Sequence, residues 1–286
     1  MILVIGATGK TGSNVVKNLL DKNCSVRALV RSEEKARALR DAGVDVIIGD
    51  VSSKDLVHKA MDKVTKVFLL LPNGQDQLTL EKNVIDAAVE AKVSLFVKQS
   101  SLESVEGTTK PIPKMHLASE AYLKSCGLNW VMIRPTFFAQ MLLTCAPAIR
   151  ARDALTFPMG LGKVAATDAR DVAEVVAKVL TEDGHENKSY DLTGPELLSF
   201  EEIAHIFTEV LGRKISYVDQ PLADYRGILE KFIPDAWRVS AVCEELKGLA
   251  DGSTQHTTQV IQILLGREPR SVRQFLTEYA KAFSPD

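Results

Sequence analysis

At 286 residues, with 45% apolar and 25% charged residues and a formal net charge of −2, the chain has the makeup of a globular protein with one large domain and a smaller lobe. No apolar run approaches the roughly 18 residues that suggest a membrane span, and no lysine or arginine block exceeds a pair, which removes the electrostatic case for nucleic acid or an anionic membrane as partner. Four scattered cysteines and five dispersed histidines offer neither a disulfide framework nor metal-ligand spacing, and Met1 leads straight into apolar sequence with no basic leader, so a metal-free cytoplasmic protein is expected.

Short β-branched runs alternate with amphipathic stretches through the first half. Strands are expected at Ile2 to Ile5, Ser25 to Val30, Asp45 to Ile48, Lys66 to Leu71, Ser94 to Lys98 and Trp130 to Ile133. Each is near-continuously apolar, as when helices cover both faces of a parallel sheet. Helices are expected at Thr11 to Leu20, Glu33 to Ala42, Lys54 to Met61, Gln77 to Ala91 and Met115 to Ser125, the last stopped by Gly127. Beyond Pro135 the rhythm changes: Phe157 to Gly162 reads as loop, followed by a helix from Arg170 to Thr181 and a strand at Tyr190 to Leu192 that returns to the sheet. The rest is mostly helical, with a short strand at Ile215 to Val218. The pattern is α/β: a doubly wound parallel Rossmann sheet in residues 1–155, rejoined near 170–193, and a smaller, mostly helical C-terminal lobe in 156–286 that binds substrate or a partner.

In such sheets the first strand-to-helix turn carries the phosphate contact. Here that turn is Gly6-Ala7-Thr8-Gly9-Lys10-Thr11-Gly12. Its glycines allow a tight turn and close backbone approach to a pyrophosphate, whose charge the helix N-terminus favours. Glycines serving only the turn are the bland alternative. NAD sites usually end the second strand on a carboxylate, whereas this strand ends Leu29-Val30-Arg31. A guanidinium there suits a 2′-phosphate, so NADP(H) is the expected cofactor. Glu33 and Glu34 follow Ser32 and read as first-turn acids on a capped helix. Lys35 is either a second charge for the phosphate or an exposed helix lysine. Asp50 either accepts from the adenine amino group or serves a turn before Ser52 and Ser53. Leu70 and Leu71, ahead of Pro72, would supply apolar surface beneath the nicotinamide ribose.

The glycine turn, Val30-Arg31, Gly49-Asp50, His116-Leu117-Ala118-Ser119-Glu120, Arg134-Pro135-Thr136-Phe137-Phe138 and Thr181 to Lys188 together resemble the NmrA-like atypical short-chain dehydrogenase/reductases. The resemblance is to their quinone oxidoreductase and triphenylmethane reductase branch, and it spans nearly the whole chain. It implies a cofactor site of Gly6, Thr8, Gly9, Lys10, Thr11, Gly12, Arg31, Lys35, Asp50, Val51, Leu70, Leu71, Pro135, Thr136, Phe137 and Phe138. It also implies an acceptor slot lined by Phe137, Phe138, Met141 and Phe157, residues that serve equally well as core.

Related short-chain dehydrogenases reduce carbonyls with a Tyr-x-x-x-Lys pair. No such pair occurs in this sequence; Tyr122 has Cys126 where its lysine would stand. His116 and Glu120 occupy the equivalent stretch on one helical face, His116 being the candidate catalytic residue and packing the alternative. Ser100 and Ser101 match the place of a catalytic serine, or cap locally. A missing acid suits quinones or similar conjugated aromatic acceptors, whose reduction leaves a weakly basic product. The expected function is an NADPH-dependent reductase of such a small substrate. The alternative is a non-catalytic NADP(H) sensor acting on a regulatory protein partner.

Overall fold

Four consecutive buried apolar residues, Ile2–Ile5, make β1, and the glycine turn after them opens α1 (Lys10–Asp21). The structure, a computed structural model, describes residues 1–284. The alternation continues as β2 (Val26–Val30), α2 (Glu33–Asp41), β3 (Asp45–Ile48), α3 (Lys54–Ala60), β4 (Lys66–Leu69), α4 (Gln77–Glu90), β5 (Leu95–Gln99), α5 (Pro111–Ser125) and β6 (Trp130–Pro135). A 3₁₀ helix at Ala139–Cys145 leads to α6 (Ala146–Arg152), β7 (Ala154–Phe157), β8 (Lys163–Val164), α7 (Ala169–Thr181) and β9 (Lys188–Leu192). There follow β10 (Leu198–Ser199), α8 (Phe200–Leu211), β11 (Ser216–Asp219), α9 (Leu222–Phe232), α10 (Ala236–Ala250), α11 (Val260–Leu265), α12 (Val272–Glu278) and α13 (Ala280–Phe283).

The main sheet runs β3-β2-β1-β4-β5-β6-β9, with parallel pairing from β3 through β6. Asn187 N donates to Trp130 O and Thr136 N to Leu192 O; the two strands advance together, so β9 is parallel as well. The fold is therefore the doubly wound Rossmann sheet. Its strand order reverses between β1 and β4, and that switch point is where such sheets leave a ligand crevice at their carboxyl ends. One expectation needs correcting: β3 is not covered on both faces. As the edge strand it leaves Asp45 and Ile48 exposed.

The chain forms two compact units. One comprises Met1–Gly107, Pro113–Arg134 and Val172–Tyr190; the other comprises Thr108–Ile112, Pro135–Asp171 and Asp191–Asp286. The first buries Leu3, Ile5, Val67, Leu69, Val84, Ile85 and Phe96. On α1 the buried positions are Thr11, Gly12, Val15, Val16 and Leu19, one face at the 3.6-residue period. On α4 the buried stripe Val84, Ile85 and Ala88 continues back into Gln77 and Glu81, two polar residues where apolar ones would serve.

The second unit is built on stacked rings. Phe157 lies 5.0 Å from Phe200 in a stacked pair, and Phe137 meets both edge-on. Phe157 ends β7, which pairs in parallel with β11, so the segment read as loop from Phe157 onward begins one residue inside a strand. Buried Asp171 receives Arg267 Nη2 at 2.7 Å and the Arg270 backbone N–H at 2.7 Å, with the Arg270 guanidinium closer still, which fastens the segment before α12.

Candidate functional site

Gly6 has φ of +91°, and a Cβ on it would meet Leu70 O at 2.3 Å. A Cβ on Gly12 would meet Gly6 O at 2.1 Å. The turn therefore closes against β4 on one side and the first turn of α1 on the other, and both contacts require glycine. Gly9 is the N-cap of α1 and supplies no side-chain cap, and no acidic residue stands in the first turn. Thr8, Gly9 and Lys10 are exposed, while Thr11 and Gly12 pack inward. An uncapped helix N-terminus with a lysine at its first position fits an anionic group such as a pyrophosphate.

Arg31 follows β2, with its side chain 73% exposed and its Nε 3.8 Å from Asp50 Oδ2. An exposed pair of this kind holds weakly and leaves the guanidinium free to meet a phosphate. Asp50 also makes a turn: its Oδ1 accepts from Ser52 N at 2.9 Å. That bond, aided by Arg31, holds its carboxyl below the usual range against the opposing effect of burial. Ser32 caps α2 by accepting from Lys35 N, and Glu33 pairs with Arg40, which accounts for the acids beside Arg31. The Lys35 side chain is exposed, Val51 and Leu71 are buried, and Leu70 is half-buried.

Lys98, Glu81 and Gln77, which the sequence did not single out, gather at His116, which it did, and Lys98 lies two strands from the glycine turn. Lys98 on β5 is wholly buried and pairs with Glu81 of α4, itself 1% exposed. Lys98 Nζ lies 3.1 Å from Glu81 Oε1, 3.1 Å from Gln99 O and 3.0 Å from His116 Nδ1 of α5. Gln77 Nε2 is 3.0 Å from Glu81 Oε1 and 3.3 Å from the same His116 nitrogen. Burial, reinforced by the Lys98 charge, holds His116 well below the ordinary imidazole pKa. The signals were present in the sequence: a lysine near the end of an apolar central strand, and a glutamine and a glutamate four apart in line with a helix's apolar stripe.

Glu120 is a different case. Fully buried, it accepts from Arg134 Nε at 2.9 Å and from Nη2 in a second, shorter bond, a fork-to-fork pair that ties α5 to β6. Tyr122 donates to Asp86 Oδ1 at 2.6 Å, and that bond pushes its pKa up to about 12, the wrong direction for a proton donor at neutral pH. Ser100 Oγ meets Ser104 Oγ at 3.4 Å and Ser101 Oγ accepts from Glu103 N, both within a local turn.

The remaining candidates lie in the second unit. Pro135 and Thr136 are buried, with Thr136 Oγ1 lacking a hydrogen-bond partner. Phe137 and Phe157 belong to the ring cluster, whereas Phe138 and Met141 are half-buried. Among the described residues, no helix is long and apolar enough to cross a membrane.

Known proteins match the chain over nearly its whole length. The chain is 33% identical to the NAD(P)H azoreductase of Xenophilus azovorans over 285 residues, covering 99% of each. It is 28% identical to quinone oxidoreductase 2 of Escherichia coli over 239 residues, 82% of this chain and 83% of that one. The Citrobacter sp. triphenylmethane reductase complexed with NADP(H) superposes with a TM-score of 0.85 at 25% identity, over 98% of this chain and 99% of that one. The NmrA-like family matches residues 1–265, and the chain belongs to that family.

Proposed function

We infer that this protein is an NADPH-dependent oxidoreductase that passes hydride to a quinone or a similar conjugated aromatic acceptor. The observation that carries the reading is the near-full-length likeness to an NAD(P)H azoreductase, joined to a glycine turn at the switch point whose helix N-terminus is uncapped. Gly6, Thr8, Gly9, Lys10, Thr11 and Gly12 would hold the pyrophosphate, and Arg31, with Lys35 nearby in sequence, the 2′-phosphate. Asp50 and Val51 would border the adenine, while Leu70 and Leu71 would border the nicotinamide ribose. When bound, the reduced nicotinamide supplies the hydride. The protein's own work is to bind, orient and keep water away. Azo, quinone and triarylmethyl acceptors share an extended π-system that needs apolar surface rather than a strong acid. Phe137, Phe138 and Met141 would supply that surface, with Phe157 bracing Phe137 edge-on at 5.9 Å.

Purified protein mixed with NADPH and a panel of quinones and dyes should consume the reduced nicotinamide, seen as falling absorbance. No consumption above background would leave the sensing role instead. Arg31→Ala should weaken NADPH binding about ten- to a hundredfold, the equivalent of a charge-assisted hydrogen bond worth roughly 1.5–3 kcal/mol, with NADH binding nearly unchanged. Equal losses for both cofactors would mean that the 2′-phosphate lies elsewhere.

A further inference from the structure

An ammonium carries three N–H donors and no acceptor, and Lys98 Nζ faces the Glu81 carboxylate through both its oxygens, Gln99 O and His116 Nδ1. Nδ1 of His116 therefore accepts, and the imidazole proton sits on Nε2. The Gln77 contact agrees. Reversing that amide would turn its oxygen toward the Glu81 carboxylate, so its nitrogen donates to Glu81 and stands 3.3 Å from Nδ1, whose one lone pair faces the nearer Lys98 ammonium. An imidazolium would have to aim an Nδ1–H at an ammonium. Nε2 itself has no hydrogen-bond partner among the described residues.

The position of the cluster gives this free donor a direction of use. Lys98 is in register with Leu69 of β4, and Leu69 with Ile5 of β1, one residue short of the Gly6 and Leu70 contact. Arg31 and Asp50 follow β2 and β3, on the other side of β1. An extended dinucleotide with its 2′-phosphate at Arg31 and its pyrophosphate at the glycine turn thus runs on toward β4 and β5, the side that carries His116.

Resting on the reductase reading above, we propose that Lys98, Glu81 and Gln77 lock His116 as a neutral Nε2–H donor that hydrogen-bonds the oxygen of a carbonyl-bearing hydride acceptor. Lys98 is then a positioning residue and His116 the catalytic one. Hydride addition converts a quinone to a hydroquinone monoanion; the two electrons come from the reduced nicotinamide, which is oxidised, and the second proton comes from water. A fixed donor stabilises the oxygen that gains charge, and the imidazole keeps its own proton throughout.

Nitrogen-15 NMR of histidine-labelled protein should show His116 with Nδ1 bare and Nε2 protonated, and no titration near the ordinary value of 6.5. A protonated Nδ1, or an ordinary titration, overturns the lock. In the Lys98→Met/Glu81→Leu double variant Nδ1 loses its nearest donor while the imidazole stays buried, so the signals should shift toward a mixture of the two neutral tautomers; an unchanged Nε2–H tautomer there overturns the positioning role of Lys98. His116→Leu should lower kcat/KM for a quinone about ten- to a hundredfold, and His116→Gln, which retains an N–H donor, should recover part of it. A triarylmethane dye cation takes hydride at carbon and forms no oxyanion, so His116→Leu should change its reduction by less than about threefold. Equal losses on both acceptors, or a rise confined to the KM for NADPH, overturn the proposal in favour of a packing or cofactor-binding role. If the wild type reduces neither acceptor, the reductase reading fails and the donor role with it, while the NMR result still decides the lock.

Discussion

Gly12→Ala should weaken NADPH binding by about a hundredfold or more, while Gly74→Ala should leave it unchanged. The added methyl at position 12 would sit 2.1 Å from Gly6 O and 2.7 Å from Gly6 C. Both are backbone atoms of the turn itself, and neither can swing aside as the end of a flexible side chain could. The turn must open, which misaligns the first-turn N–H groups of α1. Each hydrogen bond to a charged group contributes roughly 1.5–3 kcal/mol, so losing two weakens binding by about a hundredfold or more. Gly74 has no atom within 4 Å of its would-be Cβ and no positive φ, which makes it a control for glycine replacement as such. Titration calorimetry with NADPH reads both variants. Tight binding by Gly12→Ala would show that the phosphates are held somewhere other than the turn.

Glu81→Leu removes the carboxylate that faces a wholly buried ammonium, and this change should cost stability rather than binding alone. Lys98 and Glu81 are 0% and 1% exposed and stand 3.0 Å apart. Breaking one partner of a buried pair costs about 3–5 kcal/mol, because the remaining charge stays uncompensated, whereas replacing both with apolar groups of similar size is often close to neutral. Urea unfolding should therefore show a large loss for Glu81→Leu and recovery of more than half of it in Lys98→Met/Glu81→Leu. A double variant no more stable than Glu81→Leu would mean that the energetic weight lies in the bonds to Gln77, Gln99 and His116 rather than in the ion pair.

How far the sequence could be read depends on whether each signal is local. Ile2–Ile5 followed by three spaced glycines announces strand, turn and helix within a dozen residues, and the structure has those elements in that order. Arg31 was visible for the same reason: the end of a strand is a defined place. Lys98, Glu81 and Gln77 come from β5 and α4 and meet His116 of α5 only through packing, so none of them stood out alone. Glu120 likewise gained its meaning from Arg134, 14 residues along and on another element. The edge position of β3 depends on strand order, which its own composition does not carry. Phe157 looked like the start of a loop because Pro158 and Gly160 follow it, yet pairing with β11 keeps it in a strand.

The interleaving of the two units bears on the order in which the protein is made. A chain emerging from the ribosome has produced β1 through β6 by Pro135, but the sheet then still lacks its last strand, since β9 spans Lys188–Leu192. Until that point the outer edge of β6, with Val131, Met132 and Ile133 among its residues, has no strand partner and is open to pairing with another chain. The residues in between belong largely to the other unit, Pro135–Asp171, and that unit is fastened by Arg267 and Arg270 on Asp171, 96 and 99 residues further along. Neither unit can finish folding as a simple N-terminal domain during synthesis. A nascent chain stalled between residues 135 and 188 is therefore the form of this protein most in need of a chaperone.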